Sequence, residues 1–280
     1  MKFEREVHLK SFILGLLVLV SSTLSAQSEE MTFGIVPQQA ASKLARLWSP
    51  VLDYVSRQSG IKIQFATAKD IPTFEQHLDA GEYDFAYMNP YHFTVFNRHP
   101  GYQAVVRARD KEIKGIIVVR KDSPIQSIEE FDQMTLAFPA PAAFAASILP
   151  RSELLSRGLD FQSSYVSSHD SVYLAVAKGI YPAGGGVIRT FKNIAPEIRD
   201  QLRVLWTSRG FTPNAIAAHP DVSAEALSAV QSALVAMEKS DEGKALLKRL
   251  NIRGFERAEN KDWDDVRSLQ IDLPTSITGQ

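Results

Sequence analysis

Short apolar strands alternate with helix-length amphipathic segments along almost all of this chain, and that rhythm constrains the fold more than any single motif. Met31 to Val36 is an apolar run closed by Pro37. Between Gln38 and Ser59, Leu44, Leu47, Trp48, Val51, Leu52 and Val55 recur at helical spacing, and Gly60 ends the pattern. Pro50 lies inside it and is expected to kink the helix. Ile61 to Phe65 alternates with period two, as a half-buried strand does. Asp70 is placed to cap a helix through Leu78, Tyr83 to Tyr87 reads as a strand, and Asn89-Pro90 opens another helix. Further strands are expected at 102–107, 116–119, 136–138, 165–166, 202–207 and 215–218, and 183–187 reads as a Gly-rich strand or turn. The helices between and after them fall at 142–157, from Ser168 or His169 to Lys178, and at 223–239, 241–250 and 262–269. Such alternation predicts an α/β fold with mainly parallel sheets covered by helices on both faces.

Two polar breaks, Arg109-Asp110-Lys111-Glu112 and Thr207-Ser208-Arg209-Gly210, divide the chain into three parts. The last part has too few strands to stand alone. The economical arrangement is a two-lobe clamshell joined by two crossovers: 31–110 with 210–271 as a discontinuous first lobe, 111–209 as the second, and 272–280 as a flexible tail. A ligand then sits between the lobes, at strand carboxyl ends and helix amino ends.

The first residues set the compartment. Lys2, Arg5 and Lys10 precede an uninterrupted apolar run from Phe12 to Val20, followed by Ser21, Ser22, Ser25 and Ala26. That is the layout of a cleavable signal peptide, assigned to 1–26, and the apolar run is too short to span a bilayer. With no cysteine in the chain there is no thiol for a lipid anchor, a disulfide or a nucleophile. The expected location is therefore the periplasm, for a soluble monomer stabilised by packing alone. A net charge of -1 gives no basic excess for a nucleic-acid partner. His77, His92, His99 and His219 show no metal-ligand spacing, so neither metal nor cofactor is expected.

Several strings in order point to a family. They are Phe33-Gly34-Ile35-Val36-Pro37, Leu52-Asp53-Tyr54-Val55, Asp84-Phe85-Ala86-Tyr87-Met88-Asn89-Pro90, Val119-Arg120-Lys121-Asp122-Ser123-Pro124-Ile125, Ser168-His169-Asp170-Ser171-Val172, Leu174-Ala175-Val176-Ala177 and Leu202-Arg203-Val204-Leu205-Trp206-Thr207-Ser208. From about Met31 to Leu269 the chain resembles the periplasmic phosphate/phosphite/phosphonate solute-binding proteins of ATP-driven importers. The resemblance implies a hinged clamshell of the type II periplasmic class that closes on a small anion and delivers it to a membrane permease or, in some relatives, a sensor.

It also implies where the ligand would be held. The family's Ser-Thr-Ser run at a helix start falls here on Ala143, Phe144 and Ala145, after Ala142, so all three hydroxyls are gone. The backbone amides of that helix start remain able to meet an anion. His169 keeps the family position. Arg189 follows Gly184-Gly185-Gly186-Val187-Ile188, where relatives that bind aminophosphonates carry an acid, and Asn214 stands where some have a second acid. Loss of both acids disfavours a zwitterionic aminophosphonate. From the residues themselves, Gln38 at the start of the first helix, and Tyr87, Asn89 and Tyr91 at a strand end and helix start, are candidates to reach the cleft. Lys111 and Lys114 flank the first crossover and read as solvated. Contiguous Ser168-His169-Asp170 cannot form a nucleophile relay, since those groups must converge in space.

The expected function is therefore a non-enzymatic, extracytoplasmic solute-binding protein for a small anion, either a phosphate- or phosphonate-like oxyanion or a carboxylate, serving an ABC importer. The alternative is a periplasmic ligand-sensing subunit for a membrane histidine kinase or cyclase. An exported hydrolase ranks last, for want of a nucleophile or paired carboxylates.

Overall fold

A computed structural model describes residues 30–269; the expected signal peptide and the expected tail lie outside the described residues. The first sheet opens with β1 (Met31–Ile35), β2 (Ile63–Thr67), β3 (Phe85–Met88) and β4 (Gln103–Ala108). The second holds β5 (Gly115–Arg120), β6 (Thr135–Phe138), β7 (Gln162–Tyr165), β8 (Ala183–Val187) and β9 (Leu202–Thr207). The chain then returns, and β10 (Ala215–Ala218) and β11 (Phe255–Arg257) complete the first sheet in the order β11-β4-β10-β3-β1-β2. The second sheet runs β7-β6-β8-β5-β9.

Both sheets are mixed. β10 is antiparallel to β3 and β4, β11 is antiparallel to β4, and β5 is antiparallel to β8 and β9. The remaining strands of each sheet share one direction, as the strand–helix alternation predicts. The returning strand Ala215–Ala218 is fully buried, wedged between β3 and β4. Small side chains suit it, because both faces are covered.

Helices attach where the sequence signals them. α1 (Ala41–Ser59) buries Leu44, Trp48, Val51, Leu52, Tyr54 and Val55 on one face and ends on Gly60 at φ 74. Trp48 packs 4.6 Å from the Tyr87 ring and 6.1 Å from Phe33. Burying aromatic groups of this size contributes about 2 kcal/mol each. α2 (Ile71–Asp79) is capped by Asp70, whose carboxylate accepts from Thr73 N, and hydrogen bonding by Thr73, through its side chain and then its amide, lowers the Asp70 pKa. α3 (Pro90–Phe96) is capped by Asn89.

In the second lobe a π-helical turn, Phe144–Ile148, leads into α4 (Leu149–Ser156). α5 (His169–Ala177) is capped by Ser168, and α6 (Ile188–Asn193) and α7 (Pro196–Arg199) follow β8. α8 (Ala224–Ala236), α9 (Asp241–Arg249) and α10 (Asp264–Arg267) belong with the first sheet.

The glycines of β8 serve packing. A Cβ on Gly185 would stand 1.9 Å from Ala146 O, and one on Gly186 2.3 Å from the Tyr173 hydroxyl. Hence the π turn presses on one face of β8 and α5 on the other.

The crossovers run side by side. Ile113 and Phe211 exchange both backbone hydrogen bonds, at 2.9 and 3.0 Å. Ser208 adds its amide on Gly115 O and receives Gly115 N on its hydroxyl, both at 2.9 Å.

Candidate functional site

The lobes meet along a line of polar contacts set by strand ends and helix starts. Gln38, just before α1, contributes twice: its carbonyl accepts from His169 N at 3.1 Å, and its Oε1 accepts from Arg189 Nη2 at 2.5 Å. Gln39 Nε2 donates to Asp170 Oδ1 at 3.2 Å, and Lys43 Nζ donates to Asn193 O at 2.5 Å. Asn89 Oδ1 accepts from His92 N at 2.8 Å, capping α3, while its Nδ2 donates to Ala142 O at 3.1 Å. Asn89 thus ties one lobe's helix cap to the other lobe's turn. These contacts describe a closed clamshell.

The helix start at 142–146 is packed against the first lobe. Ala142, Ala143, Phe144, Ala145 and Ala146 are all buried, and Phe144 meets the Phe211 ring edge-on at 5.4 Å. The amides of Phe144, Ala145 and Ala146 have no carbonyl partner among the described residues. Ser147 is fully buried with its hydroxyl unpartnered. This wall offers orphan amides but no hydroxyl in place of the family's clamp.

His169 is buried in the seam, 1 % exposed. Its Nδ1 is 3.1 Å from Thr190 Oγ1, which lies 2.8 Å from the Tyr173 hydroxyl and 3.0 Å from Val187 O. These contacts are best satisfied when Nδ1 carries the proton, Tyr173 donates to Thr190, and Thr190 donates to Val187 O. Burial, helped by the nearby Arg189 charge, pushes the imidazole pKa down to about 3. His169 is therefore a neutral ring that orders the loop, and it adds no positive charge at pH 7.

On the crossover side the lobes enclose a cavity of about 240 Å³. Tyr87, Pro213 and Asn214 line it from the first lobe, Val187, Ile188, Arg189 and Lys192 from the second, and Lys111, Glu112, Ile113 and Lys114 from the first crossover. Arg189 and Lys192 project from α6 one helical turn apart. The Arg189 guanidinium lies 5.9 Å from the Tyr87 ring centre. Asn214 is 4 % exposed, and its Nδ2 has no hydrogen-bond partner among the described residues. Lys114 pairs with Glu112 at 3.3 Å. Lys111 donates to Asn251 O, at a residue held at φ 56 just after α9. Desolvation, and then repulsion from Arg189, Lys192 and Arg253, lowers the Lys111 pKa.

Of the residues singled out from sequence, Tyr87, Arg189 and Asn214 line this cavity, and Gln38 reaches it through Arg189. Asn89, Ala142 and His169 lie in the lobe–lobe seam, and Ala143, Phe144 and Ala145 form the packed wall beside it. Tyr91 is half-buried against the first-lobe core and is not among the cavity residues. Its phenol pKa is raised by burial and by Glu75. Lys192 was not singled out, and Lys111 and Lys114 read as solvated. The available signal was the density of cations before β5: Arg107, Arg109, Lys111 and Lys114 within eight positions.

Similarity to known proteins agrees with this geometry. The profile of the family described as "ABC transporter, phosphonate, periplasmic substrate-binding protein" matches residues 33–263. The phosphonates-binding periplasmic protein of Escherichia coli is 23% identical over 260 residues, covering 88% of this chain and 77% of that protein. A binding-protein component of an ABC phosphonate transporter from Pseudomonas aeruginosa superposes with a TM-score of 0.80 at 18% identity, covering 86% of this chain and 85% of that one. PhnD1 of Prochlorococcus marinus, in complex with methylphosphonate, gives 0.78 at 17%, covering 85% and 96%. The fold, the interlobe cleft and the extent of the match lead to one statement: this chain belongs to the periplasmic substrate-binding proteins of the ABC phosphonate-transporter family.

Proposed function

We propose that this protein captures a small anionic solute between its lobes and presents the closed form to the permease of an ABC importer. The observation that carries this reading is the cavity at the lobe junction, lined by Lys111, Lys114, Arg189 and Lys192 against one carboxylate, Glu112. The seam contacts of Gln38, Gln39, Lys43 and Asn89 hold the lobes shut, and the ligand's preference for that closed form couples binding to closure.

In this reading the chain is exported by its 1–26 segment, is not lipidated, acts as a monomer and turns nothing over. The lobes comprise 31–110 with 210–271, and 111–209. No catalytic relay is assigned, because His169 spends its Nδ1 on Thr190 and Asp170 bonds Gln39. The loss of the family's hydroxyls at Ala143–Ala145 favours, as a second reading, a ligand-sensing subunit for a membrane kinase or cyclase. Binding a permease in a pull-down with the ligand present separates the two.

The test is a thermal-shift screen of the mature chain with phosphate, phosphonates, sulfate and carboxylates. Ligand at about 100 times its Kd adds about 2.7 kcal/mol, or roughly 5–10 °C in Tm for a domain of this size. An anion giving that rise supports the reading. No rise with any anion, together with a rise on a neutral solute, overturns it.

A further inference from the structure

Resting on the reading above, we propose that the solute carries at least two negatively charged groups and is held from the crossover side. Lys111, Lys114, Arg189 and Lys192, with the Asn214 amide, form the grip.

Charge balance carries the inference. Four cations line the cavity and one carboxylate, Glu112, faces them, leaving three positive charges in excess. Among the described residues, Arg189 and Lys192 form no ion pair, and neither does Lys111. Arg189 gives one N–H to Gln38 and keeps others of its five free for a ligand oxygen. A single monoanion leaves two cations uncompensated in a partly desolvated space, which is unfavourable. Desolvation first, and then the same crowding of like charge, lowers the Lys111 pKa.

Hydrogen-bond accounting adds an independent observation. Asn214 Nδ2 is a buried donor without an acceptor, on a residue that lines the cavity. Buried amides are almost always satisfied, and a turn of the Asn214 side-chain amide brings this donor to the cavity, where an oxygen of the solute can accept from it. No residue of 142–146 lines this cavity, and the side chains there are methyl groups and a ring, so the grip rests on the crossover side. A cavity of about 240 Å³ holds about eight waters, which suits a solute of the order of ten non-hydrogen atoms. Outside it lies a wider basic mouth of about 700 Å³ that shares Lys111 and Lys114 and adds Lys244, Lys248 and Arg253. A second anionic group can extend toward it.

Calorimetry on the mature chain with phosphonoacetate, methylphosphonate and 2-aminoethylphosphonate tests this. Phosphonoacetate should bind at least about tenfold more tightly than methylphosphonate. The Lys111→Gln, Lys192→Gln double variant, with Lys192 exposed on its helix, should erase that preference. A far-ultraviolet spectrum and Tm matching the parent show that it is folded. Arg189→Lys, which keeps the charge and loses the planar fork, should give an intermediate loss. Equal binding of the two phosphonates, a preference for 2-aminoethylphosphonate, or a dianion preference that survives the double variant overturns this proposal and leaves the function standing. Silence with all three anions overturns both.

Discussion

The two walls of the interlobe site differ in kind. The wall at 142–146 is apolar, fully packed, and polar only through its backbone. The crossover wall is cationic, half-open and built from long side chains on separate elements. Relatives are expected, from their resemblance, to carry the anion on the first wall; here the charge stands on the second. Helix-start amides and side-chain cations are two physical solutions to one problem, and a sequence can move from one to the other without changing its fold. The amide solution depends on close backbone approach and hydroxyl help; the cation solution depends on charge and tolerates looser geometry.

The comparison breaks most readily at Phe144. Phe144→Ala should cost about 4 kcal/mol of unfolding free energy by denaturant titration, because a buried ring leaves a cavity. If this wall is purely structural, methylphosphonate affinity does not rise. A tenfold gain instead would mean that the ring covers a working anion site.

The next effect concerns His169. Its folded pKa of about 3 lies below the unfolded value near 6.5, so the unfolded chain binds a proton first as pH falls. Stability from this group is whole above about pH 6.5 and is lost down to about pH 3, at about 1.4 kcal/mol per pH unit. Between pH 6.5 and 5 this amounts to about 2 kcal/mol in guanidinium unfolding. His169→Asn should flatten that slope, and an unchanged slope would show that the ring titrates normally.

Asn214→Asp sharpens the crossover side. The near-isosteric carboxylate cancels one charge of excess, and dianion affinity should fall about tenfold by calorimetry. Enhanced affinity would mean that the ligand brings a cation to this wall. The smallest effect is screening. Raising salt from about 0.05 to 0.5 M should weaken binding only a few-fold, because a partly buried grip is shielded less than surface charge.

Much of the architecture was legible in the sequence, for identifiable reasons. The face of α1 reads directly from Leu44, Trp48, Val51, Leu52 and Val55, and Asp70, Asn89 and Ser168 announce the caps they form. The return strand Ala215–Ala218 was visible as an apolar run after a polar break. Strand direction was not legible, since a buried run of four residues looks the same either way, and β5 and β10 run against their neighbours. β11 and α6 are too short to show periodicity. Missing α6 hid Lys192, which shares a face with Arg189 only once those residues are helical. Lys111 and Lys114 look solvated in a crossover, and each stays partly exposed beside the cavity, Lys114 paired with Glu112. The triple glycine of β8 leaves no room for a ligand, because Ala146 O and Tyr173 occupy the space beside Gly185 and Gly186.

The pairing of Ile113 with Phe211 has a mechanical consequence. Two connections zipped together bend about one axis, and atoms beside an axis travel little when the ends swing. Lys111 and Lys114 flank Ile113 and so sit beside that axis, whereas Arg189 and Lys192 ride on the second lobe. In the capture proposed above, the pair by the axis stays put while the other two cations swing toward it, so the four charges converge only as the jaws shut.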